Sequence, residues 1–119
     1  MKTALTILIA LALTPAAAAA KGPTPNPLCS HLARNYARKA DLPAGVRAVL
    51  FPMAERGGRF AVTDVIGPNE RNLPAARFIS ATQMGCALRI RYEYGGIAHG
   101  FATAWLSQQG RTWVIISRR

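Results

Sequence analysis

Apolar residues run nearly unbroken over residues 4–13, behind a single charge at Lys2. Thr14-Pro15 interrupts the run, and five alanines, Ala16 to Ala20, follow it. A charged start, a short apolar stretch and a small-residue end make the pattern of a secretory signal peptide. The stretch is about half of the roughly 20 residues that a membrane-spanning helix needs. Residues 1–20 therefore read as a cleaved export signal, with cleavage expected near Ala20–Lys21. No cysteine stands at that junction, so no lipid anchor is expected. No second apolar run of membrane length follows, so no membrane span is expected either.

The polar pattern changes abruptly afterwards. Residues 21–27, with Pro23, Pro25 and Pro27, read as an extended leader, since each proline fixes φ and removes a donor. Residues 28–119 read as one domain. Cys29, Leu32, Ala33, Tyr36 and Ala40 recur at three-to-four spacing, which predicts a helix over 27–40 with one buried face. Arg34 and Arg38 fall away from that face, as does His31. Residues 42–45, Leu-Pro-Ala-Gly, would stop the helix. Residues 46–51 then read as a first strand ended by Pro52, residues 54–58 as a turn, and residues 59–66 as a second strand. Residues 73–85, opened by Leu73-Pro74, read as irregular.

The last third alternates with period two. Cys86, Leu88, Ile90, Tyr92 and Tyr94 share one face, and Ala87, Arg89, Arg91 and Glu93 the other. Gly95-Gly96 suggests a two-residue hairpin turn. That turn sets Tyr94 opposite Ile97, Tyr92 opposite His99, Ile90 opposite Phe101 and Cys86 opposite Trp105. In this register Arg89 and Arg91 face Ala98, Gly100 and Ala102. Residues 107–110 turn again, and residues 112–117 form a last strand with Trp113 on an unassigned face. The expected fold is α+β: one N-terminal helix on a curved antiparallel sheet of four or five strands. Cystatin-like folds and the nuclear-transport-factor-like cone share this outline, and no motif selects between them.

Composition adds a cross-link and a charge. The two cysteines, Cys29 and Cys86, admit a single pairing, and in an exported chain that pairing reads as a disulfide. It would join the predicted helix to the best-defined strand. A loop of this size gains about 4 kcal/mol in the chain-entropy model. The formal charge is +10, with 15 Lys and Arg against 5 Asp and Glu, and arginine supplies most of it. Arginine grips phosphate and carboxylate with a planar fork, so an anionic protein or envelope polymer is the expected partner. Arg89 and Arg91 are the first candidates for contact, followed by Arg34 and Arg38. In the register above the aromatics fall on the opposite face from these arginines, which argues against single-stranded nucleic acid.

Catalytic constellations are sparse. The carboxylates Asp41, Glu55, Asp64, Glu70 and Glu93 are dispersed, and no P-loop, HExxH or nucleophile-elbow motif occurs. Two cysteines and two histidines show no metal-ligand spacing, so no metal and no cofactor are expected. His99 and Glu93 are the candidate acid–base pair of a ribonuclease-like phosphodiesterase, yet the two-residue turn places them on opposite faces. The reading is therefore a periplasmic or secreted binding or accessory protein, more a binder than an enzyme. The alternatives are the phosphodiesterase and a subunit of an envelope assembly that self-associates through its Ala/Gly sheet face.

Overall fold

The computed structural model describes residues 24–62 and 71–119. Residues 1–20, read above as an export signal, the first part of the expected leader, Asp64 and Glu70 lie outside the described residues. One antiparallel sheet dominates, with strands β1 (Ala33–Tyr36), β2 (Ala76–Met84), β3 (Ala87–Tyr94), β4 (Gly100–Gln109) and β5 (Thr112–Arg118). They lie side by side in chain order as an open meander. Helix is scarce: a 3₁₀ turn at Lys39–Asp41 and one short α-helix, α1 (Ala44–Val49).

The helix expected over 27–40 is absent. Residues 27–31 are turns, and Ala33–Tyr36 pairs instead with the edge of β2, Tyr36 opposite Ala81 and Ala33 opposite Met84. The apolar spacing misleads because the stripe is not a buried face: Cys29 and Tyr36 are buried, but Leu32 and Ala33 are exposed. Without a buried stripe a short helix has little tertiary support. The free edge of β2 offers a full hydrogen-bond ladder instead. Tyr36 then donates its hydroxyl proton to Gln83 Oε1 at 2.7 Å, and Gln83 Nε2 donates to the Gly85 carbonyl at 3.0 Å. This satisfies an amide that is 1% exposed.

Residues 46–51 are not a strand. Pro43, read above as part of a stop, has φ −52 and stands at the start of α1. Proline suits a helix start because its missing N–H has no partner there. Val46 is the residue α1 buries, and Gly45 leaves room for the Trp113 ring. Residues 59–62 are also outside any strand. Conversely, residues 73–85 are not irregular, since they contain β2. Its buried positions, Ala76, Phe78, Ala81 and Gln83, skip a beat at a bulge between Phe78 and Ser80. The bulge breaks the period-two signature of an otherwise ordinary strand.

The core lies on one side of the sheet. Phe78, Leu88, Ile90, Leu106 and Trp113 meet Leu42, Val46 and Met53 from the preceding segment. Leu88 and Ile90 are fully buried, and each such side chain stabilises the fold by about 1.5–3 kcal/mol. A disulfide joins Cys29 to Cys86 across a sequence separation of 57. It ties the N-terminal turn to the β2–β3 turn, where the Gly85 N–H also bonds the Leu32 carbonyl at 2.7 Å. No helix among the described residues is long and apolar enough to cross a membrane.

Candidate functional site

The site begins with the β3–β4 register, which differs from the one expected. Tyr94 pairs with Gly100, Tyr92 with Ala102, Arg91 with Thr103 and Arg89 with Trp105. Residues 95–99 form a five-residue connection, closed by a His99 N–H to Gly96 carbonyl bond at 3.1 Å. Gly95-Gly96 does not make a two-residue turn because it serves a different contact. A Cβ at position 95 would lie 1.8 Å from the Ala61 carbonyl oxygen. The Gly96 N–H bonds the Val62 carbonyl at 3.2 Å, with φ at +102°. The close backbone approach, permitted by a missing side chain, uses both glycines and lengthens the loop.

Because side chains alternate along a strand, this three-residue displacement exchanges the faces of β4. Ala102, Ala104 and Leu106 turn to the core side, beside Tyr92, Ile90 and Leu88. Phe101, Thr103 and Trp105 turn to the other side, with Glu93, Arg91 and Arg89. The arginine face is therefore not an Ala/Gly surface. Phe101 is 61% and Trp105 42% exposed, and Met84 at the same face is 72% exposed. Arg89 holds its guanidinium 5.8 Å from the centre of the Trp105 ring. Thr82, Met84 and Ala87 complete a shallow groove beside that pair. Aromatic rings thus stand beside the arginines, contrary to the expected register.

At the Phe101 end of the face stands an acid–base cluster. Glu93 Oε1 lies 2.7 Å from His99 Nε2, and Arg77 Nη2 donates to Glu93 Oε2 at 2.7 Å. Arg77 also donates to the Gly58 carbonyl and lies against the Phe60 ring at 4.6 Å. His99 sits between Phe60 and Phe101, 6.4 Å from each ring centre, and its side chain is 47% exposed. The hydrogen bonds from His99 and then Arg77 hold the Glu93 carboxyl below its ordinary value, against the opposing effect of burial. Glu93 is therefore ionised near neutrality and accepts from both His99 Nε2 and Arg77 Nη2.

The expected site residues divide accordingly. Arg89 and Arg91 stand together on the open face, and Glu93 and His99, expected on opposite faces, are bonded to each other. Arg34 pairs with Gln83, whose side chain enters the core, so it projects from the other side of the sheet, over Tyr36. Arg38 is occupied by a forked ion pair with Asp41 at 3.1 Å. Arg77 and Phe60 were missed: Arg77 lay in a segment read as irregular, and nothing local marks Phe60. Comparison with known proteins finds no matching family model, no matching curated protein and no matching solved structure. Among the described residues no group of three or more His, Cys, Asp or Glu gathers to hold a metal ion.

Proposed function

We propose that this chain is an exported binding protein that holds an anionic polymer on the open face of its sheet. The observation that carries this reading is the row formed by Arg89 and Arg91 beside exposed Phe101 and Trp105, with no segment packed over it among the described residues. Glu93 is the one acidic residue in the five strands, and its carboxylate is already bonded to Arg77 and His99. Among the described residues the face thus presents arginine to solvent with no acidic side chain but Glu93, within a chain of formal charge +10. The signal-like segment supports export, and the disulfide suits an oxidising compartment such as the periplasm or the cell exterior.

Binding to inorganic polyphosphate and to anionic cell-wall fragments, at low and at high salt, tests the reading. Salt-sensitive binding that falls in Arg89→Ala and Arg91→Ala is the expected result. Absence of salt-sensitive binding to every polyanion overturns it. A second reading has one observation in its favour: the Glu93–His99 bond orients a half-exposed imidazole beside the open face, as acid–base catalysis of phosphodiester cleavage needs. Ribonuclease activity that is abolished in His99→Ala would establish that reading, and an inactive wild-type chain removes it.

A further inference from the structure

We infer that the polymer held on the open face is single-stranded nucleic acid, with bases stacked on Trp105 and Phe101 and the sugar–phosphate chain passing over Arg91. This rests on the binding reading above and deepens it by naming the ligand class. Arginine alone would suit any polyanion. The alternation of arginine with exposed aromatic rings is what discriminates, because a ring offers little to a phosphate, meets a sugar only through its C–H groups, and gives a base a full stacking face. Trp105 and Phe101 stand four residues apart on one strand, about 13 Å at the usual rise. Thr103 lies between them and Arg91 pairs with it. Each ring can therefore take its own base, while the intervening phosphate meets a guanidinium.

The details of exposure agree. A large aromatic left in water costs free energy unless something covers it, and both rings are substantially exposed. Arg89 lies alongside the Trp105 ring and extends the stack with a second flat surface. A second copy of the chain is a poor cover, since it would set arginine rows against each other in a strongly basic protein. Duplex nucleic acid keeps its base faces stacked internally and offers the rings no partner.

The test uses the full chain and four probes: a labelled single-stranded oligothymidylate, the same sequence as a duplex, inorganic polyphosphate, and phosphatidylglycerol vesicles. Anisotropy gives affinity and intrinsic fluorescence reports stacking, since Trp105 is exposed and the other tryptophan, Trp113, is buried. Tightest binding to the single strand, with quenched fluorescence, is expected. Trp105→Ala and Phe101→Ala are each expected to weaken that binding about ten-fold or more. Arg91→Ala is expected to reduce the salt slope by about 0.7. Equal affinity for polyphosphate and single strand, or unchanged affinity in Trp105→Ala, overturns base stacking while leaving the anion-binding reading intact. Preference for vesicles overturns the nucleic-acid assignment. Failure to bind any probe at low salt overturns both.

Discussion

On one side of β3, Leu88 and Ile90 have no exposed surface and share a core with Val46 and Met53. One residue away, Arg89 and Arg91 stand in solvent beside exposed aromatic rings. The same backbone thus supports two surfaces with different demands. The covered side is defined by volume and closes on a short helix. The open side carries side chains whose removal leaves no cavity, so their identity is free to answer to a ligand. A sheet whose second face stays largely open among the described residues can vary that face without disturbing its core.

The largest expected effect comes from the hinge between the two sides. Gly95→Ala would drive a methyl group into the Ala61 carbonyl, and a destabilisation above about 4 kcal/mol is expected, at the extreme end for single substitutions. Urea denaturation measures it, and a change under about 1 kcal/mol would show that the segment over residues 60–62 yields freely. Leu88→Ala, on the covered side, should cost about 3 kcal/mol, since it empties a fully enclosed site. A variant as stable as the wild type would show that the core is loosely packed.

Next in size is the acid–base cluster. The Glu93 carboxyl is held below its ordinary value of 4.5, first by His99 and then by Arg77. A depressed carboxyl contributes stability above its unfolded value, and the contribution is lost as pH falls through the folded one. The stability gap between wild type and Glu93→Gln should therefore be fully present above the ordinary carboxyl value and shrink on acidification below about 4.5. A gap that grows in acid contradicts the assignment. Smallest of all is the stability effect of Trp105→Ala on the open side, expected within about 0.5 kcal/mol. The same variant should lose most single-strand binding, so the two sides would separate in one pair of measurements.

The residues differ in how far the sequence reveals them. The alternation from Ala87 to Tyr92 survives intact, because β3 lies between two neighbours and carries no bulge. The disulfide is legible too, since two cysteines leave one choice. β2 hides behind its bulge, and β1 hides because helical spacing and strand spacing both bring Tyr36 inward. Arg89 and Arg91 are visible as candidates, but their neighbours depend on a loop length that Gly95 disguises. The contact that explains Gly95 comes from Ala61, more than thirty positions earlier, and no local pattern encodes it. The Glu93–His99 pair was obscured by the same miscounted turn.

The Cys29–Cys86 bond encloses β1, α1 and β2 within one covalent ring and leaves β3, β4 and β5 outside it. A protease acting outside the cell that makes one cut anywhere inside that ring opens a circle and releases nothing. The severed chain stays a single covalent molecule, with β3, β4 and β5 still attached to the half that covers their core. On a denaturing gel such a nicked molecule would run whole until a reducing agent parted it.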